Sequence, residues 1–351
     1  MVEHAEMAVQ PPRTGRRKGA AGLALLLGMM GLTAWLLLRD RPAAALLAAL
    51  RGVDLWILPV GLALMGVFIG CEALSTHVIL GRLGHRVPWQ WCLWYSLTGF
   101  CMSSVTPSAS GGQPAQVWAM AMDGIPAVHG ALDMLLVAVS YQVTSLCCAA
   151  GAWLFLPGLR AELGGGMGLL LLYGGGVTAV LTAGMLSFLF LPKAAGRLAG
   201  KLLDALAALR LCRDRAAAGA KLERQMAEYA AGAAVLRSSP VLVPILLGLT
   251  TLQLTASFLI PYAVYRAFGL SGTGPAFFWG SQALLTLAVS ALPLPGAVGP
   301  AEGGFVQVFR PVFGPALTAP AMLVSRGISF YLSLLVSGGA ALAFFLRARR
   351  R

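Results

Sequence analysis

Residues 103–114 read Ser103-Ser104-Val105-Thr106-Pro107-Ser108-Ala109-Ser110-Gly111-Gly112-Gln113-Pro114, a polar stretch inside a longer apolar segment, Trp89 to Met122. Pro107 and Pro114 stop helices, and Gly111-Gly112 lets the backbone turn or approach a ligand closely. The fold depends on whether this stretch is a nucleotide loop of a soluble enzyme or a break in a membrane helix.

Ser110-Gly111-Gly112-Gln113 matches a tetrapeptide of the signature loop in ABC-type ATPases. Such an enzyme also needs a GxxxxGK[ST] loop, whose backbone N–H groups wrap the phosphates. The nearest approach, Gly196 to Lys201, is one residue short and lacks the metal-binding hydroxyl. Composition decides the matter: of 351 residues, 58% are hydrophobic and 11% charged, with mean hydropathy +0.78. That marks an integral membrane protein. Backbone groups in lipid must be satisfied within their own segment, so the fold class is an all-α helical bundle.

The formal net charge of +13 points to membrane surface rather than nucleic acid. Nine basic residues lie between Lys193 and Arg237 and others cluster at both termini, the distribution expected of cytoplasmic loops facing anionic lipid. No aromatic-interleaved basic patch or reader motif accompanies them, so no nucleic-acid partner is expected. The six cysteines show no metal-ligand spacing and read as small packing residues, with no metal or cofactor implied. The first apolar run follows Arg13, Arg16, Arg17 and Lys18 but lacks a convincing cleavage site, so it reads as a retained span.

Length and loop charge predict six spans: Ala20–Leu38, Leu55–Leu80, Gly130–Leu156, Gly168–Leu191, Pro240–Phe268 and Pro320–Leu346, with both termini in the cytoplasm of a multi-pass inner-membrane protein. Two apolar stretches remain, 89–122 and 275–312, each broken by Gly and Pro. Both read as re-entrant broken-helix hairpins, opening to opposite sides. The domain plan is a basic N-terminus (1–19), a first membrane half (20–158) and an outer linker (159–166). A second half (167–347) follows, carrying a cytoplasmic amphipathic segment (192–239), and then a basic tail (348–351). The halves form an inverted repeat, the plan in which paired interrupted segments mark a midplane site. The alternative is two proline-kinked spans, and Arg39, Arg41 and Arg51 on the outer side count in its favour.

Candidate site residues follow from the breaks. The first tip supplies Thr106, Ser108, Ser110, Gly111, Gly112, Gln113 and Gln116; the second supplies Pro295, Gly296, Gly299, Glu302 and Gly303. Broken helices aim unpaired N–H groups at anions and freed carbonyls at cations. Charges inside apolar runs need a partner or a wet cavity, at roughly 2.5 to 3.5 kcal/mol each. Glu302 is expected to pair with Arg326, Glu72 is the coupling-ion candidate, and Asp133 and Arg326 could alternatively snorkel to headgroup level. His77 and Gln142 read as interhelical hydrogen-bonding residues and Gly66-x-x-x-Gly70 as a packing motif. Trp89, Trp91, Trp94 and Tyr95 read as an aromatic belt.

"TPSASGGQPAQVW" (106–118) followed by "PLPGAVGPAEGGF" (293–305) resembles the lysylphosphatidylglycerol synthase transmembrane family, also called flippase-like domain proteins. The resemblance runs from the first span to the sixth. Gly296-Ala297 stands where that pattern has two adjacent glycines. In two-part members such a region precedes a soluble aminoacyl-transferase domain and is implicated in moving aminoacylated phospholipid outward. Only the Arg-rich tail follows the sixth span here, so the resemblance implies lipid translocation without the synthetic step.

The expected function is therefore flipping of a polar-headed lipid, an aminoacylated phospholipid or glycolipid, with anionic or aminoacylated phospholipids as partners and room for a homo-oligomer. The alternative is a secondary transporter of a small solute coupled to H+ or Na+. No HExxH, GxSxG or Ser/Lys arrangement supports an enzyme.

Overall fold

The computed structural model describes residues 48, 50–106, 109–156, 164–191, 196–197, 201, 215–290, 292, 297 and 299–348. The expected first span, the 1–19 terminus, residues 159–163, most of 192–214 and the end of the tail lie outside them. So do Pro107, Ser108, Pro295 and Gly296.

All secondary structure among the described residues is helical. Among the described residues, five stretches are long and apolar enough to cross a membrane: Ile57–Arg82, Ala127–Phe155, Gly168–Ser187, Leu242–Ala267 and Pro300–Ala343. They correspond in order to the second through sixth expected spans. The helices are α1 (Ile57–Arg82), α2 (Trp89–Val105), α3 (Gly112–Met122), α4 (Ala127–Phe155), α5 (Gly164–Phe190), α6 (Arg215–Arg237), α7 (Leu242–Phe258), α8 (Ile260–Ala267), α9 (Pro275–Ser290), α10 (Pro300–Arg326) and α11 (Ser333–Ala348).

Proline and glycine punctuate this order. Pro88 and Pro126 stand immediately before α2 and α4, where a missing N–H costs nothing. After α3 the chain reverses at Gly124, whose φ of 85° suits a residue without a side chain and lets its N–H reach the Ala121 carbonyl at 3.1 Å.

Three boundaries depart from expectation. The fifth span is two helices, α7 and α8, meeting at Leu259 just before Pro261, which has no N–H to continue the ladder. The sixth begins not at Pro320 but at Pro315, because Gly314 (φ 70°, ψ 165°) breaks α10, and its path to α11 runs through a π-helical turn, Gly327–Leu332. The amphipathic segment is not wholly a surface linker either. Ala233 and Leu236 of α6 are buried with Ile79, Leu132, Leu189 and Leu246, and Gly232 brings α6 onto the Leu132 side chain.

Two hydrophobic cores position the two broken segments. Around α2 and α3 the core is compact: Ala73, Leu80, Cys92, Tyr95, Ala119 and Met120. Around α9 and the first half of α10 it is aromatic, with the Phe278 and Phe309 rings stacked at 5.5 Å and Phe305, Phe313 and Tyr265 set about them. Close helix approach uses glycines other than those of Gly66-x-x-x-Gly70, where no described atom stands within 4 Å of a Cβ position. Gly61 meets Ile328 and Gly174 meets the Leu287 carbonyl instead.

Candidate functional site

α2 and α3 pack against each other as a helical hairpin, and small groups close its tip. The Thr106 hydroxyl donates to the Met102 carbonyl (2.7 Å) and accepts from the Gly111 N–H (2.9 Å), so it ties both arms at the turn. A Cβ on Gly112 would collide with the Ser103 hydroxyl and stand 2.9 Å from the Gly99 carbonyl; one on Gly111 would lie 2.6 Å from Thr106. These glycines let the two arms touch. Ser110 and Gln113 are exposed and Gln116 is buried.

α9 and the first half of α10 form the second hairpin, and a charge closes its tip. Glu302 is 4% exposed. One carboxylate oxygen accepts from the Gly299 N–H at the head of its own helix; the other accepts from Arg326 Nε at 2.8 Å. The first contact satisfies an N–H that a helix start leaves open, and the second neutralises a charge that apolar surroundings would penalise. The Arg326 guanidinium also lies over the Phe330 ring, 4.7 Å from its centroid. Gly304 lies against Leu285 of α9, whereas Gly303 is exposed and a Cβ there would meet open space.

Phe330 links the two hairpins. Val105, the last residue of α2, packs against this ring, and Arg326 covers it. The tip of the first hairpin and the charge pair of the second therefore share one aromatic side chain on the sixth span.

Glu72 lies elsewhere, where α1 meets α3 and α7. Gln116 Nε2 donates to one carboxylate oxygen at 3.0 Å and Gln253 Nε2 approaches the other at 3.5 Å. Gln116 reaches Glu72 across α2 because residue 99 is glycine: a Cβ there would overlap the Gln116 amide. Asp133, in the second turn of α4, is fully buried, which rules out snorkelling for it.

A sequence model of the lysylphosphatidylglycerol synthase TM region matches residues 19–337. The chain belongs to that family. Comparison with curated proteins gives no match. This family is membrane-embedded and associated with lipid handling, in keeping with the five apolar helices.

Set against the family motifs, the structure brings together Thr106, Gly111 and Gly112 at one tip, and Gly299, Glu302 and Arg326 at the other. Gln116 departs from the first tip to Glu72. Tyr95 leaves the aromatic belt, for it is fully buried and its hydroxyl donates to Asp123 at 2.8 Å, while Trp89 stays exposed. Gln142 accepts from Thr182 (2.6 Å), and His77 pairs with the Val87 carbonyl (2.7 Å). Sequence reasoning passed over Gly99, Gln253 and Phe330. Gly99 interrupts an otherwise bulky α2, a signal of close approach that could have pointed to Gln116.

Proposed function

We propose that this chain translocates a polar-headed lipid between leaflets without altering it chemically, the headgroup passing between two re-entrant hairpins while the acyl chains stay in the bilayer. The observation that carries this reading is the shared contact at Phe330, where the first tip meets the Glu302–Arg326 pair. Helix lengths support re-entry: α2 and α3 have 17 and 11 residues, and at about 1.5 Å per residue neither crosses roughly 30 Å of hydrocarbon. The cargo class follows from the pair's chemistry and the family's name. A headgroup bearing a phosphate and an ammonium, as in an aminoacylated phospholipid, can exchange partners with Arg326 and Glu302 and leave no charge bare in the membrane. Glycolipid is the second cargo class.

The two halves are read as an inverted repeat, with both termini in the cytoplasm of the inner membrane. Labelling of cysteines placed at Arg86 and Asp123 should report one and the same side; opposite sides would remove re-entry and the repeat together. Transport is tested by reconstituting the protein with headgroup-labelled lysyl-phosphatidylglycerol and following its loss from one leaflet. A secondary solute transporter is the competing reading, favoured by Glu72 as a coupling-ion site, and it predicts that lipid asymmetry stays unchanged.

A further inference from the structure

The first membrane half contains two acids that the headgroup route does not use, Asp133 fully buried and Glu72 half-buried, and their surroundings differ. Glu72 has an amide N–H directed at each oxygen, from Gln116 and Gln253, an arrangement that suits a carboxylate. Asp133 is 0% exposed, and neither of its oxygens has a hydrogen-bond partner among the described residues. Thr76 of α1 faces Asp133 and Ser96 of α2 faces Glu72, both hydroxyls fully or almost fully buried and short of good hydrogen-bond geometry. The other titratable side chains facing the pair are Cys92 of α2, toward Asp133, and Tyr141 of α4, toward Glu72; α3 and α7 contribute only the uncharged Gln116 and Gln253. No described cation pairs with either acid.

An ionised carboxylate buried without partner or donor is among the costliest groups a protein can hold, so the site calls for a cation small enough to enter a packed helix junction. We propose that Asp133 and Glu72 form a proton-binding site in which Asp133 holds the proton, Glu72 holds the charge, and the charge anchors the first hairpin through Gln116. Uptake of a proton from water forms one O–H bond on a carboxylate oxygen and breaks no bond in the protein. When Glu72 takes that proton, its pull on the Gln116 amide weakens and α3 is freed from α1. The site deepens the coupling-ion role proposed for Glu72, yet its occupancy can be read without any transport.

The test is infrared spectroscopy of the purified protein in lipid nanodiscs across a pH series, with Asp133→Asn and Glu72→Gln beside the unaltered chain. At neutral pH the unaltered protein should show the carbonyl stretch of a protonated, water-shielded carboxylic acid. Asp133→Asn should abolish that band and keep the unaltered melting profile, since one neutral group replaces another; Glu72→Gln should retain the band. A band that survives Asp133→Asn, or its absence from the unaltered protein, overturns the proposal. So does the sodium outcome: no band, together with a melting temperature that rises with NaCl, but not with choline chloride, and loses that dependence in Asp133→Asn. Because these readouts involve no lipid movement, failure to flip lipid leaves them standing, and failure here leaves the headgroup route standing. For the anchor, a maleimide reaction of Ser110→Cys should quicken several-fold in Glu72→Gln; an unchanged rate overturns the link to the hairpin.

Discussion

The two hairpins share a plan but hold their tips shut by different chemistry. The α2–α3 tip is neutral: a threonine hydroxyl spans the turn, and two glycines let one arm rest on the other. The α9–α10 tip is ionic: Glu302 caps its helix and reaches across to Arg326, with an aromatic core beneath. Each hairpin is also fastened to a long helix through a carboxylate, but in the first the acid sits on the long helix (Glu72) and in the second on the hairpin itself. Two helical hairpins of one chain therefore need not be closed by one chemistry. A charge needs a partner to stay buried, whereas hydrogen bonds and close-packed glycines need only geometry, so the second tip should fail abruptly and the first by degrees.

The largest effect expected from that difference comes from Arg326→Met, which leaves Glu302 buried and uncompensated. It should lower stability by about 3 to 5 kcal/mol, read as the thermal midpoint in detergent, and adding Glu302→Gln should restore most of the loss. Gly112→Ala forces the arms of the first hairpin apart and should cost about 1 to 3 kcal/mol by the same measurement. Gly303→Ala enters open space and should cost nothing, so equal losses at the two positions would erase the contrast. Thr106→Val removes one donor and one acceptor from the first turn and should cost roughly 1 to 2 kcal/mol.

The smallest effect lies where α6 meets the turn after α1. His85 bonds His129 at 2.7 Å, and Glu228 of α6 stands 3.9 Å from the second ring. Burial, and next the His129 ring, hold the His85 imidazole below its ordinary 6.5, against an opposing pull from Glu228. Protonation therefore favours release of the His85 turn from His129 of α4, while Glu228 keeps its pull on the charged ring. The contact should be at full strength above pH 6.5 and weaken as the pH falls below it, until the folded imidazole is charged as well. Limited proteolysis at Arg82 and Arg86, on either side of that turn, between pH 7.5 and pH 5 in an ~0.5-unit series checks this; cleavage that slows on acidification would reverse the sign.

Much of the fold could be read from prolines and glycines in apolar sequence. Pro107, Pro114 and the Pro293–Pro300 cluster marked both breaks, because a ring without an N–H cannot supply a helix-interior hydrogen bond and several such rings beside glycines favour an end. The Glu302–Arg326 pair was legible for a related reason: a lone charge in an apolar run demands a partner, and Arg326 was the cation singled out among the charges inside apolar runs. The Gln116–Glu72 bond was not, since Gln116 lies three residues from Gln113 in a polar tip and only the room left by Gly99 turns it elsewhere. The depth of Asp133 was also hidden, because a position near a helix end looks the same in sequence whether the end meets water or packed side chains. The start of the sixth span at Pro315 rests on the backbone of Gly314, and three prolines within α10 offered several equivalent places to break it.

The central claim is that Glu302 and Arg326 meet the lipid headgroup rather than only brace the fold. It is tested most directly by measuring flipping of labelled lysyl-phosphatidylglycerol by the double variant Glu302→Gln/Arg326→Met, whose stability should be close to that of the unaltered protein. Flipping reduced at least several-fold in a well-folded double variant is the result expected of a headgroup site. Flipping at the normal rate would make the pair scaffold and place the route elsewhere.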